Sequence, residues 1–348
     1  MLNRRQFIKT ALTAALMTQF PCIAFADKPR FLYEKFGDLP PPEAIERVLS
    51  TGPVADVLLL SLVPTKLIGL SSLKLTESQK QFLPPILQNI PQTGRFAGRG
   101  STASLENVIA LKPDVIVDIG NVSPSYVSTA ERLNAQTNIP YILMNGTLSE
   151  TATQIRTLGE MLGVKDHADG LADYAERVLT ATHNIAQKSG VEKPLKVYSA
   201  RGADGLETGL AGSIHTEVLE WVGATNAAQD AGENLMTRVS MEQLMLWQPD
   251  VIITLDENFY QEIGKNPLWQ RIKAVQEGRI YKAPKLPFGW LDQPPSINRL
   301  LGASWLSHVL YPELMPAERY NKEVIEYYAL FYQHYLSEEA LIAMTTGA

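Results

Sequence analysis

Ser104-Leu-Glu-Asn-Val-Ile-Ala-Leu-Lys-Pro-Asp-Val-Ile116 is echoed 136 residues later by Ser240-Met-Glu-Gln-Leu-Met-Leu-Trp-Gln-Pro-Asp-Val-Ile252. Six of the thirteen positions are identical. Each copy reads as a helix opened by a serine N-cap, a Pro-Asp turn and a buried strand. Generic cap and turn chemistry accounts for the Ser and the Pro-Asp taken singly. It does not require the same helix length or the same Glu, at positions 106 and 242. The chain therefore carries two units of like construction.

Outward from these copies, short apolar runs alternate with helical patterns, the signature of α/β units on parallel sheets. The pattern predicts strands at 47–50, 67–70, 115–118 and 139–144, and again at 195–199, 251–255 and 279–283. Helices are expected at 104–111, 148–162, 295–310 and 317–344. Between the two sets, Leu171, Tyr174, Val178, Leu179 and Ile185 recur at helical spacing with no proline, which predicts one long helix over 165–188. The expected fold class is α/β, with two lobes of similar build joined by one long helix and a cleft between them. The expected divisions are an export signal at 1–26, an N-terminal lobe at 27–163, the interlobe helix at 164–190, a C-terminal lobe at 191–312 and a helical extension at 313–348. Tyr327, Tyr328, Phe331, Tyr332 and Tyr335 in that extension are expected to pack against a lobe.

Composition narrows the function. The chain has 348 residues, 20% of them charged, and a formal charge of -6, so it lacks the basic excess of a nucleic-acid footprint. Arg4-Arg5-Gln6-Phe7-Ile8-Lys9, an apolar run and Ala24-Phe25-Ala26 resemble a twin-arginine export signal with its cleavage site. Removing 1–26 takes away three basic residues and no acidic one, leaving 28 minus 37, or -9. The single cysteine, Cys22, leaves with it, so disulfides, thiolate metal sites and Cys nucleophiles are excluded from the mature chain. Gln19-Phe20-Pro21 lacks the small residues of a lipoprotein box, and a soluble periplasmic protein is expected.

With the paired Ser-x-Glu and Pro-Asp-Val-Ile segments, Gly212-Ser-Ile-His215 leading to Gly223-Ala-Thr-Asn226, and the 165–188 spacer, the sequence resembles the periplasmic substrate-binding proteins of ABC importers for ferric siderophores, haem and cobalamin. The resemblance covers nearly all of 43–312. It implies two lobes on a rigid helix, a ligand held in the cleft, little change of shape on loading, and an inner-membrane ABC permease as partner of a monomeric binding protein. It also implies that Glu106 and Glu242, one on top of each lobe, meet arginines of the permease. A carboxylate in the first turn of a helix is favoured by the helix dipole in any case.

The remaining candidates are read from local chemistry. Gly98-Arg99-Gly100-Ser101-Thr102-Ala103 fits a dinucleotide fingerprint, but Ile90-Pro91-Gln92-Thr93-Gly94-Arg95 before it is polar and proline-broken where a buried strand is required. Anion recognition fits the loop better: glycines expose backbone N–H groups, and Arg95 and Arg99 add forked donors. Arg201 follows a strand end, where open sheets place ligands, with a salt bridge to Asp204 as the competing role. His215 opens a helix and either touches ligand or stabilises that start. Trp290 lies in a proline-rich loop and lines a cleft or fills core. The five histidines show no metal-site spacing, and no catalytic triad, P-loop or zinc-protease motif is present. No resident cofactor and no enzymatic activity are expected. The expected function is capture of an iron-siderophore-type metal chelate in the periplasm and delivery to the permease. Molybdate or tungstate, then haem or cobalamin, are the alternatives on the same scaffold, and an exported cofactor-dependent enzyme is the alternative of another class.

Overall fold

The two copies of the repeat form matching helix, turn and strand units in the computed structural model, which describes residues 32–96, 104–120, 122–188, 193–231 and 236–346. From Leu32 on the chain forms one compact unit. Its first sheet contains β1 (Tyr33–Phe36), β2 (Val48–Ser50), β3 (Val115–Gly120) and β4 (Tyr141–Asn145), in the order β1-β4-β3-β2. Only β1 is antiparallel to its neighbour. Helices α1 (Pro53–Leu62), α2 (Leu105–Leu111), α3 (Pro124–Thr137) and α4 (Thr151–Met161) connect and cover it. Helix α5 (Lys165–Lys188) then leads to the second lobe. There β5 (Lys196–Ala200), β7 (Thr225–Asn226), β9 (Val251–Thr254) and β10 (Ile280–Lys282) make an all-parallel sheet in the order β10-β9-β5-β7. A small antiparallel pair, β6 (Glu207–Gly209) and β8 (Met236–Arg238), lies beside it, with α6 (Glu217–Trp221) and α7 (Met241–Trp247). The chain ends in α8 (Arg299–Leu310), α9 (Ala317–Tyr332) and α10 (Glu338–Thr346).

The repeat extends to individual atoms. Ser104 Oγ accepts the Asn107 N–H at 3.3 Å, and Ser240 Oγ accepts the Gln243 N–H at 3.2 Å. Both helices end in a left-handed residue, Lys112 at φ 46° and Gln248 at φ 43°. The Asp of each Pro-Asp turn then fixes the neighbouring strand: Asp114 Oδ2 accepts the Arg47 N–H at 2.8 Å, and Asp250 Oδ2 accepts the Lys196 N–H at 2.9 Å. The side chains of these same strand-start cations donate to the helix ends, Arg47 to Leu111 O and Lys196 to Trp247 O, where a cation suits the dipole. One sequence pattern thus caps a helix, turns the chain and registers a strand in each lobe.

All six residues of β3 and all four of β9 are buried, as strands covered on both faces are, and β3 carries the buried Asp118 within its apolar run. Helix α5 buries the stripe Ala168, Leu171, Ala172, Ala175, Val178, Leu179 and Ile185, each large aliphatic contributing about 1.5–3 kcal/mol. The expected strand at 67–70 is reduced to single bridges from Leu67 to Val48 and from Leu70 to Gln92. Beyond it the Ser71 N–H and Oγ–H both donate to the buried Asp56. The expected helix at 317–344 breaks at Gln333, which is left-handed at φ 50°. Tyr327, Tyr328, Phe331 and Tyr332 are buried as expected, whereas Tyr335, past the break, is 85% exposed. Helix α9 ties three parts together. Tyr327 and Phe331 pack on Tyr174 of α5, Tyr328 on Phe82 of the first lobe, and Glu323 accepts the Ser304 hydroxyl of α8.

Candidate functional site

The carboxyl ends of parallel strands are where open α/β sheets leave room for ligands, and the chain brings charged side chains there in both lobes. In the first, the Phe96 N–H donates to Thr51 O just after β2, at 3.1 Å, which seats Arg95 at that end of the sheet, partly exposed. Its charge acts on Asp118 of β3. Burial lifts the Asp118 carboxyl above the ordinary carboxylate range, with the Tyr141 hydroxyl bonded to it at 2.9 Å and the Arg95 charge opposing. Arg99 lies outside the described residues.

In the second lobe, Arg201 follows β5 directly and exchanges backbone hydrogen bonds with Glu207 of β6, at 2.9 and 3.2 Å. The turn between them passes through Gly205 at φ 71°, where a Cβ would meet the Phe259 ring. The Arg201 guanidinium pairs with Asp292, not with Asp204, whose partner is Arg238. The same Asp292 oxygen accepts His215 Nδ1–H at 3.1 Å. Asp292 is 2% exposed, while Arg201 and His215 keep 19% and 22% of their side chains in solvent. A buried carboxylate therefore orients two partly exposed donors side by side. His215 precedes α6 rather than opening it, and its orientation comes from Asp292 and not from a helix start. Trp290 differs from the cleft-lining expectation: it has no exposed surface, its indole N–H donates to Leu286 O at 3.0 Å, and its ring lies 6.5 Å from that of Tyr320. It fills core because its loop is pinned on both sides.

That loop also joins the lobes. Ser296 Oγ–H donates to Val54 O at 2.7 Å, and Gln79 Nε2 donates to Pro287 O at 2.7 Å. Arg299, 2% exposed, donates to Gly146 O at the end of β4 and to Glu217 Oε2 at the start of α6, both at 2.5 Å. Glu217 Oε2 in turn accepts the Leu148 N–H of the first lobe at 2.9 Å. Sequence reading missed Asp292, Arg299 and Glu217, since each gains its meaning from partners 69 to 153 residues away.

Glu106 and Glu242 occupy the same first-turn position of α2 and α7, both exposed. Each carboxylate is held below the ordinary range by its own backbone N–H and by the cap serine hydroxyl. A cavity of about 730 Å³ runs along the outer face of α5, lined by Asp173, Glu176, Arg177 and Arg319 among others, and holds none of the predicted site residues. Among the described residues no three His, Cys, Asp or Glu side chains gather as a metal site, and no helix is long and apolar enough to cross a membrane.

The Fe(3+)-citrate-binding protein of Bacillus subtilis is 26% identical over 191 residues, 54% of this chain and 59% of that protein. The match thus spans less than two thirds of that relative's length. An ABC transporter solute binding protein from Sulfurospirillum deleyianum has a similar structure, with TM-score 0.80 and 30% identity over 88% of this chain and 95% of that one. A molybdate periplasmic binding protein of Haemophilus influenzae, bound to molybdate, shares the fold at TM-score 0.68 and 21% identity, covering 86% of this chain and 96% of the other. Residues 48–286 match the periplasmic binding-protein family over most of both lobes, and the chain belongs to that family.

Proposed function

We propose that this protein captures an anionic metal chelate of the ferric siderophore or ferric carboxylate kind in the cleft between its lobes and delivers it to the permease of an ABC importer. Its family is periplasmic and binds solutes rather than transforming them. The observation that carries the reading is the buried Asp292 carboxylate holding Arg201 and His215, both partly exposed, at the carboxyl end of β5. A guanidinium presents five N–H donors, and only one nitrogen of Arg201 is bonded to Asp292. The rest suit the oxygens of an anion. Arg95 supplies positive charge at the matching end of the first sheet. A relative that binds Fe(3+)-citrate is consistent with this chemistry. Molybdate or tungstate is the second reading, since it asks for the same charge in less volume. Haem and cobalamin ask for aromatic walls, and the buried Trp290 supplies none.

The partner surface in this reading is the pair Glu106 and Glu242, presented alike by two matching helices to a permease with basic counterparts. The test of ligand class is calorimetric titration of the chain from Asp27 onward with ferric citrate, a ferric tris-catecholate, molybdate, haemin and cyanocobalamin. The ferric chelates are expected to bind in the micromolar range or tighter, and Arg201→Ala to weaken them about tenfold or more, the loss of one charge-assisted contact. Binding of molybdate, haemin or cyanocobalamin alone would overturn the proposal.

A further inference from the structure

Aromatic side chains gather around a cavity of about 400 Å³ between β10 and the helices that end the chain. Tyr260, Tyr281, Trp305, His308 and Tyr320 line it, together with Lys282 and no carboxylate. Core packing accounts for Trp305 and Tyr320, which are buried, but not for Tyr260, which is 39% exposed. The rings of His308 and Tyr320 stack with centroids 4.9 Å apart. The Tyr320 hydroxyl is buried without a hydrogen-bond partner among the described residues, so this wall residue carries a donor left unsatisfied at a cost. His308 donates Nδ1–H to Met315 O at 2.7 Å, which leaves Nε2 of the neutral ring as an acceptor. Trp305, His308 and Tyr320 lie beyond residues 48–286, the part that matches the family, so the last helices of the chain build this wall.

Lys282 sets the sign of the ligand. Its Nζ lies 5.7 Å from the centroid of the Tyr260 ring and donates to Glu257 Oε2 at 2.6 Å. An ammonium has three donors, and Glu257, 43% exposed, takes one of them. Aromatic cages ordinarily take a cation, but Lys282 already holds that place and repels a second positive charge. A planar ring suits the aromatic walls, and a negative group on that ring suits the remaining Lys282 donors. We propose that this cavity is a second binding site, separate from the cleft, for a small aromatic carboxylate, its ring among the aromatic side chains and its carboxylate on Lys282 Nζ. The volume lies in the lower part of the range of small-molecule sites, roughly 300–1,000 Å³. Neither Arg95, Arg201 nor His215 lines it, so the proposal stands apart from the chelate reading.

Calorimetric titration of the chain from Asp27 onward with naphthoate, naphthamide and cyclohexanecarboxylate tests this. The first carries ring and charge, the second the ring alone, the third the charge alone. Naphthoate is expected to bind about tenfold or more tighter than either, the worth of one charge-assisted contact or one buried ring. Lys282→Met keeps the side-chain stem and removes the charge. Naphthoate affinity should then fall to that of naphthamide, whose own affinity changes by less than about twofold. Tyr260→Ala should weaken naphthoate and naphthamide alike, by about threefold or more. Circular dichroism checks the fold of each variant; should Lys282→Met unfold, Lys282→Gln supplies the same comparison. Saturating ferric citrate should leave naphthoate bound. Displacement by ferric citrate would put naphthoate in the cleft and overturn the second site while leaving the chelate reading intact. Equal affinity for naphthoate and naphthamide, undiminished naphthoate binding in the Lys282 variant, or no naphthoate binding by the wild type would overturn it as well. Naphthoate binding through Lys282 in a protein that ignores ferric chelates would sink the chelate reading and support this one.

Discussion

Arg299→Met keeps the length of the side chain and deletes the guanidinium that reaches from α8 into both lobes. The change removes the hydrogen bonds to Gly146 O, Glu217 Oε2 and Ser296 O. It leaves Glu217, 16% exposed, as a carboxylate with no cation. Breaking one side of a buried pair costs about 3–5 kcal/mol, most of it the penalty on the partner left behind. An unfolding entropy of about 2.1 cal/mol/K per residue gives, for a unit of roughly 320 residues, about 0.7 kcal/mol per degree. The thermal midpoint should therefore fall by about 4–8 °C, read by circular dichroism. Glu217→Met should cost a similar amount, since it strands the buried Arg299. The double substitution, in which apolar side chains replace the pair, should be milder than the sum by about 0.5–3 kcal/mol. A fall of less than about 2 °C for Arg299→Met, or strict additivity of the two singles, would refute the view that this pair locks the lobes together.

Asp118 makes a pH prediction. Burial raises its carboxyl above the ordinary range, so the folded state keeps a proton that the unfolded chain releases, and the group's contribution to stability is lost as pH rises through its folded pKa. Asp118→Asn can still accept from Tyr141 and cannot ionise; its midpoint relative to wild type should improve as pH goes from about 4 to 7, and a constant difference would show that Asp118 does not titrate in that window. Glu106→Arg with Glu242→Arg should lower uptake by roughly tenfold or more while ligand affinity stays unchanged, because rim charges act at the partner interface; uptake at wild-type rates would reduce both glutamates to helix-end carboxylates. Ligand should produce no resolvable drop in radius of gyration by solution scattering, given one continuous helix between lobes that α9 also straps together. A clear compaction would count against a stiff hinge.

The amino-acid sequence by itself determined the elements and the plan of this protein. Helix α5 spans 165–188 as its apolar spacing predicts, and the Ser-x-Glu and Pro-Asp copies became equivalent caps and strand starts. Those features are local: a cap, a turn and a periodic face each depend on residues within about one turn. β1 escaped because Tyr33-Glu34-Lys35-Phe36 has no apolar run and takes its strand form only from pairing with β4. The segment at 67–70 shows the reverse, an apolar run whose neighbours offered only single bridges. The site divides in the same way. That Arg201 follows a strand end was readable, and so was the matched placement of Glu106 and Glu242; the seat of Arg95 beside the end of β2 was not. Tertiary structure alone decided that Arg201 and His215 meet on Asp292, that Arg299 and Glu217 join the lobes, and that Trp290 is core. These outcomes depend on charges and rings brought together across dozens of residues by burial. A buried charge requires a partner, and only the fold determines which residue supplies it.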